Sequence, residues 1–344
     1  MTKPLVSLQI GRGLAALAVA AFHLAALMQA PAFGGTPMPW LSVFDHGHLG
    51  VDFFFVLSGF IILHAHERDF GQPARLERYG YRRFVRIFPI YWLYLALCIA
   101  GMVAVKSSHF QLATGADWIT ALSLVRLSTV ELPLAQAWTL FHEVLFYAMF
   151  SLLIVHRRLG LAILAAWFCT VAVIDTRYPG AGASFATVLL SSANLNFLAG
   201  MAAYRVMRQL ARPQACVLIV AGLVLLIVGL PQYGIAFALL LAGATALERG
   251  RGLPLWLGFV GDASYSIYLL HEHIETYAAR ALAHLSITPA SHPITTFTAI
   301  MGAVILVGCA AYLLIERPLV SALRRREPRA SRIGTQTVVE GVRR

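Results

Sequence analysis

Charge is what this chain has least of. Only 12% of its 344 residues are Asp, Glu, Lys or Arg, against about 25% in a typical soluble domain. Such a deficit excludes an ordinary soluble enzyme. The four cysteines, Cys98, Cys169, Cys216 and Cys309, all fall inside apolar runs, and no CxxC pair occurs. A zinc ribbon and a disulfide framework are therefore not indicated, and the cysteines read as small buried hydrophobes. There is no P-loop, no Gly-x-Gly-x-x-Gly and no Gly-x-Ser-x-Gly, which removes the common phosphate cradles and the nucleophile elbow. His46-x-His48 and His271-x-His273 have no partners at metal-ligand spacing. His142-Glu143 lacks the second histidine of a zincin, so no metal is expected. Acidic residues number 16 against 27 basic ones, a formal net charge of +11. The basic residues lie in short segments between apolar runs, and no soluble basic domain exists to bind nucleic acid.

What the sequence does contain is apolar. Hydrophobic residues make up 59% of the chain, and the mean hydropathy is +0.72. A bilayer-spanning helix needs about 20 mostly apolar residues. Ten segments qualify, near 10–30, 49–65, 84–105, 134–155, 159–175, 185–206, 214–230, 232–248, 259–281 and 294–316. The fold class expected is an all-α, polytopic transmembrane bundle of about ten helices. His156-Arg157-Arg158 and Pro231 leave room only for tight hairpins. The first apolar run lacks a small-residue cleavage site and reads as a retained helix. Arginines cluster on alternate loops: Arg68 to Arg86, Arg157 and Arg158, Arg205 to Arg212, Arg249 and Arg251, and the residues after Arg317. Lys106, Arg126, Arg177 and Arg280 are spread over the opposite side. Positive loops stay inside, so both termini are expected in the cytoplasm. Residues 1–318 read as one transmembrane domain. From about 317 to 344, and wholly from 319, the chain reads as a basic, disordered tail.

Ionisable groups at membrane depth are costly and are functional candidates. Arg12 and His23 share the first segment, and eleven residues of helix separate them by roughly 16 Å. The arginine falls at the inner face and the histidine near mid-depth. Asp52, Glu143 and His271 come from three other segments and fall at mid-depth or in the outer half. A lone histidine on an apolar helix is most often a satisfied core residue; four such groups at one depth point to a site. Glu143 is the first choice as carboxylate partner of His23, and Asp52 the second. On the inner face, Arg82 and Arg86 share a helix face if the third helix already runs there. Such a pair can grip phosphate. The plainer reading of Arg82, Arg83 and Arg86, with the aromatics beside them, is a positive-inside anchor. Ser58 reads as a packing residue beside Gly59.

These residues give a resemblance to the acyltransferase 3 family of integral membrane acyltransferases. It is carried by Arg12-x10-His23, by Gly50-Val51-Asp52-Phe53-Phe54-Phe55-Val56-Leu57-Ser58-Gly59-Phe60 and by Arg82-Arg83-Phe84-Val85-Arg86-Ile87-Phe88-Pro89-Ile90-Tyr91-Trp92. It continues in Trp138-Thr139-Leu140-x-x-Glu143-x-x-Phe146-Tyr147, Gly261-Asp262-Ala263-Ser264-Tyr265-Ser266-Ile267-Tyr268-Leu269-x-His271 and Glu316-Arg317-Pro318, in order from residue 7 to 318. The resemblance implies transfer of an acyl group, acetyl above all, from cytoplasmic acetyl-CoA to a carbohydrate hydroxyl at the outer side of a bacterial inner membrane. The chain resembles the stand-alone members, so no appended SGNH-type esterase domain is expected. It further implies that Arg12, Arg82, Arg83 and Arg86, with Tyr91 and Trp92 of the same motif, bind the donor, and that His23, Glu143, Asp52 and His271 form the catalytic group. Another acyl group, such as succinyl, or a non-sugar acceptor is the nearest alternative. A transporter or flippase of a polysaccharide intermediate is the alternative from another class; such proteins often show inverted repeats with broken helices, and neither is expected here.

Overall fold

A computed structural model describes residues 5–33, 35–104, 111–174, 184–229, 233–249 and 253–328. Among them there is no strand. Fourteen α-helices follow one another: α1 (Val6–Gln29), α2 (Gly50–His66), α3 (Leu76–Ala104), α4 (Gly115–Ser123), α5 (Trp138–Val155), α6 (Arg157–Ile174), α7 (Phe185–Leu190), α8 (Ala193–Met207), α9 (Arg212–Val228), α10 (Tyr233–Glu248), α11 (Phe259–Asp262), α12 (Ser264–His284), α13 (Pro293–Ala311) and α14 (Arg317–Arg324). Among the described residues each of the ten predicted segments contains helix. By length and apolar composition seven helical stretches can cross a membrane, including α1, α5, α6 and the joined runs Pro73–Ala104 and Pro293–Arg324. The helices α9 and α10 stop at 17 and 16 residues. Polarity sets α12 apart, because it carries His271, Glu272, His273 and Glu275 in its middle.

Two elements depart from the sequence reading in ways that matter for the site. The third helix starts at Leu76, well before residue 84. Arg78, Arg82 and Arg86 therefore stand in one i, i+4 row. The supposed tail from about 317 begins with α14, a helix anchored to α3 by Tyr81, whose hydroxyl donates to the Leu323 carbonyl at 2.7 Å. A π-turn, Tyr312–Glu316, joins α13 to α14 and turns Glu316 into the bundle, where it is buried. Residues 329–344, the remainder of that tail, lie outside the described residues, as do Pro231, Lys106 and Arg177.

The expectation of unbroken helices also fails. The segment 185–206 breaks between α7 and α8, and 259–281 breaks between α11 and α12. At the first break, side chains take the freed carbonyls. Asn194 donates through Nδ2 to the Val188 carbonyl at 2.8 Å, and the Trp167 indole donates to the Leu189 carbonyl at 2.8 Å. An Asn competing for backbone partners is a local reason for a helix to stop. The hairpin at His156 is as tight as its sequence predicts, with α5 ending at Val155 and α6 starting at Arg157.

Small residues set the closest crossings, as packing in a bilayer favours. Where α2 meets α8, a Cβ on Gly200 would land on the Val56 carbonyl and one on Gly59 on the Phe197 carbonyl. That contact fixes α2, and with it Ser58, beside the cavity described next. At the opposite end of the chain, Glu248 closes α10 against the start of α1. It accepts from the Val6 amide at 2.6 Å, the Ser7 amide at 2.9 Å and the Ser7 hydroxyl at 2.5 Å. Those amides are first-turn donors of α1 with no partner inside their own helix.

Candidate active site

A cavity of about 600 Å³ opens between α1, α2, α3, α5, α12 and α14. Six arginines line it: Arg12, Arg82, Arg83, Arg86, Arg317 and Arg324. Four carboxyl groups face them, Glu143, Asp262, Glu316 and Glu327, so the wall keeps an excess of positive charge. All four arginines predicted for the donor are present together. Tyr91 and Trp92, predicted with them, are not on this wall. The Tyr91 hydroxyl donates to the Ala121 carbonyl at 2.7 Å and the Trp92 indole to the Leu122 carbonyl at 2.8 Å. Both point from α3 towards α4, because positions 91 and 92 are turned away from the Arg82–Arg86 face. They anchor the segment that follows α3.

The arginines differ in how far they are already satisfied. Arg82 donates through Nε to Glu327 Oε1 at 2.8 Å, and Arg78 donates to the same oxygen. Partial burial pushes the Glu327 carboxyl up, but the hydrogen bonds and charges of Arg78 and Arg82 outweigh that and hold it below the usual carboxylate range. Arg86 Nη1 lies 3.6 Å from Glu316 Oε1. The other Glu316 oxygen accepts from the Ser266 hydroxyl at 2.7 Å, which in turn accepts from Tyr94 at 2.8 Å. Arg12 reaches only a neutral partner, Gln9 Oε1 at 3.3 Å. Arg83 donates to His66 Nε2 at 3.2 Å and sits over the Tyr147 ring at 5.3 Å. Among the described residues, neither Arg12 nor Arg83 has a carboxylate within ion-pair distance, and Arg83 Nε is buried without a partner. Two guanidinium groups thus face the cavity with charge to spare. Arginine offers planar donors in the geometry that phosphate oxygens match.

Glu143 belongs to this cavity. It accepts from the Ser58 hydroxyl at 3.3 Å and from the Tyr147 hydroxyl. Deeper still, Tyr268 and Phe54 meet edge to face with ring centroids 5.6 Å apart, and the Tyr268 hydroxyl donates to Thr139 Oγ1 at 3.2 Å.

Beyond Tyr268 lies a second cluster. His271 is fully buried, and its Nδ1 is 2.6 Å from the Tyr268 carbonyl. Its Nε2 is 3.2 Å from His23 Nδ1. His23 Nδ1 is also 3.0 Å from the Val19 carbonyl, one turn back on α1. His23 Nε2 is 3.3 Å from Glu272 Oε1, and about a third of each of these two side chains is exposed. His23 and His271 therefore come together as the sequence predicts. Glu143 and Asp52 do not join them. Glu143 faces the arginines, and Asp52 accepts from Asn196 Nδ2 at 2.6 Å. The carboxylate beside His23 is Glu272, which sequence reading missed. Its signal was present: it directly follows His271 in the one polar run at the middle of α12. His23, His271 and Glu272 each bring one atom of metal-ligand type to within 4.8 Å of the others, so they are the residues that would hold a cation.

A family profile described as an acyltransferase domain matches residues 5–313. The exopolysaccharide production protein ExoZ of Rhizobium meliloti (strain 1021) is 32% identical over 315 residues, covering 85% of this chain and 95% of that protein. Protein 2 in the picA locus of Rhizobium radiobacter is 28% identical over 123 residues, 30% of this chain and 64% of that one. No solved structure matches. The matched region takes in Arg12, Arg82, Arg83 and Arg86 of the cavity and the His23–His271–Glu272 cluster, and the chain belongs to the acyltransferase 3 family of membrane proteins.

Proposed function

We propose that this protein moves an acyl group, acetyl in the first instance, from acetyl-CoA to a hydroxyl of a carbohydrate at the outer face of a bacterial cytoplasmic membrane. The likeness to an exopolysaccharide production protein favours a surface polysaccharide as acceptor. The alternation of arginine-rich loops supports a cytoplasmic position for both termini and for the mouth of the cavity. On this reading α9, α10 and α12 also cross the bilayer and bring the helices that cross to about ten.

One observation carries the proposal. The basic cavity and the histidine pair lie at two levels of the same helix, with Arg12 and His23 separated by roughly 16 Å of rise along α1. A donor with a phosphorylated end and a long thin arm suits that separation. Arg12 and Arg83 would hold the phosphates, with Arg82 and Arg86 turning from Glu327 and Glu316 to join them. The arm would pass Ser58, Glu143 and Thr139 to the ring of Tyr268, behind which His271 and His23 wait.

The acceptor hydroxyl is a weak nucleophile and must lose its proton as it attacks. Imidazole is suited to take that proton near neutral pH. His23 is the base: its hydroxyl-facing nitrogen accepts the proton, the oxygen attacks the thioester carbon, and the carbon–sulfur bond breaks. The departing thiolate then takes the proton from His23.

The test uses the purified full-length protein in detergent, with acetyl-CoA and an exopolysaccharide as acceptor. Release of free thiol together with ester formation, both abolished by His23→Ala, is the expected result. A protein that carries polysaccharide across vesicle membranes without consuming acetyl-CoA would overturn the proposal. Mass spectrometry of surface glycans with and without the gene would name the acyl group and its position.

A further inference from the structure

A groove of about 300 Å³ runs between α3 and α5, apart from the histidine cluster. Leu76, Gly80, Phe84 and Phe88 form its wall on α3, and Val144 and Ala148 its wall on α5. Leu76, Gly80 and Phe84 are exposed, so the groove opens on the outside of the bundle. Phe84 and Phe88 stack with ring centroids 5.3 Å apart and raise a ridge along one side. At Gly80 there is open space: a Cβ built there meets no atom within 4 Å. From Leu76 to Phe88 the groove follows about 18 Å of helix rise. Half the hydrocarbon core of a bilayer is about 15 Å thick. The groove is therefore apolar and one leaflet deep.

Its shallow end is basic. Arg75 immediately precedes Leu76, and α5 reaches Arg157 and Arg158 within two turns of Ser151, the last groove residue on that helix. The two ends are tied together where the Gly71 amide donates to the Leu153 carbonyl at 2.9 Å. Among the described residues, none of these three arginines has a carboxylate within ion-pair distance. Of the acidic residues between 67 and 80, Glu67 pairs with Arg205 and Arg208, and Asp69 with His66. Only Glu77 is left to set against them. Arg83 also borders the groove, but about 10 Å of rise in from Leu76, where it lies 6.0 and 5.3 Å from the Tyr79 and Tyr147 ring centres. That is too deep for a lipid headgroup.

We propose that this groove binds one anionic glycerophospholipid from the leaflet at the arginine-rich face. One acyl chain lies along Gly80 and the Phe84–Phe88 ridge, and the phosphate rests on Arg75, Arg157 and Arg158. Basic pockets between helices at that face hold anionic headgroups. A zwitterionic lipid brings the same chain but also an ammonium group that the arginines repel, so the charge selects the headgroup. The site goes beyond the acyl-transfer reading and stands or falls apart from it.

The experiment is native mass spectrometry of the full-length protein in detergent, offered phosphatidylglycerol and phosphatidylcholine of matched chains in equal amounts. The protein should retain one phosphatidylglycerol in preference to phosphatidylcholine by about tenfold or more, as two or three arginines near a membrane surface provide. Gly80→Leu fills the groove without striking a neighbour and suits a helix better than glycine. It should lose the retained lipid while melting at or above the parent's temperature. Arg157→Gln with Arg158→Gln, both at exposed positions, should bring the preference close to parity. Equal retention of the two lipids by the parent would overturn the proposal. So would undiminished phosphatidylglycerol on Gly80→Leu, or full preference in the double arginine variant. A dimer of the parent that Gly80→Leu dissociates would also overturn it, by making the groove a contact between two copies of this chain.

Discussion

His23 and His271 are 248 residues apart in the chain, and their rings face each other nitrogen to nitrogen at 3.2 Å. His271 is fully buried while His23 is partly open, so only His23 is placed to meet an acceptor from outside. His271 stands behind it and fixes its orientation. Replacing His271 by Gln removes that support without opening a large hole. Turnover should fall by about tenfold to a hundredfold, the range for a group that orients a general base, with donor affinity unchanged. Isothermal titration with acetyl-CoA beside initial rates separates the two. A variant that loses donor binding instead would place His271 in the donor site.

Arg12 and Arg86 line the same cavity but differ in their partners. Arg12 touches a neutral Gln9, and Arg86 faces the buried Glu316. Arg12→Gln should therefore weaken acetyl-CoA binding by about ten- to a hundredfold, the cost of a charge-assisted hydrogen bond to phosphate, and leave thermal stability near that of the parent. Arg86→Gln should weaken binding and also lower the melting temperature, since it strips a buried carboxylate of its cation. Equal melting temperatures would argue that Glu316 does not depend on Arg86.

Much of the fold can be read in the sequence because apolar length and arginine spacing are strong signals in a membrane protein. Within the described residues all ten segments contain helix, and Arg12, Arg82, Arg83 and Arg86 meet at one cavity. The missed features depend on which neighbours a side chain faces. Glu143 and Asp52 are expected at the depth of His23, yet Glu143 lines the arginine cavity and Asp52 turns to Asn196. Depth along a helix follows from counting residues, but its rotation depends on close contacts such as Gly200 on Val56. The helix at Arg317–Arg324 was missed for another reason. Its exposed, arginine-rich face carries no apolar run, and what holds it is Tyr81 and Glu327, both far away in sequence or outside the helix.

Glu248 offers a test of what holds α1 in place. Its carboxylate accepts from Val6, from the Ser7 amide and from the Ser7 hydroxyl. Glu248→Ala leaves the two amides without those partners, at a cost of about 1–3 kcal/mol. Because α1 carries both Arg12 and His23, the variant should lose thermal stability and turnover together. Unchanged melting with reduced activity would mean that Glu248 has a role beyond anchoring this helix.

Glu327 occupies a place that a phosphate would want. It binds Arg82 and Arg78 at the cavity mouth, from the segment that follows α14. Two consequences have opposite signs. Glu327→Gln frees two guanidinium groups, so acetyl-CoA should bind more tightly, by about threefold to tenfold if the displaced contacts are worth the roughly 1 kcal/mol of partly exposed ion pairs. The same variant should be slightly less stable at neutral pH. The folded carboxyl lies below its ordinary range. Its contribution to stability is therefore present above the unfolded value, near pH 4.3, and lost as the pH falls through the lower folded value. Melting curves of the parent and Glu327→Gln should run parallel from pH 8 to about pH 5 and converge below about pH 4. Weaker acetyl-CoA binding in Glu327→Gln would show that this carboxylate helps to build the donor site and does not compete for it.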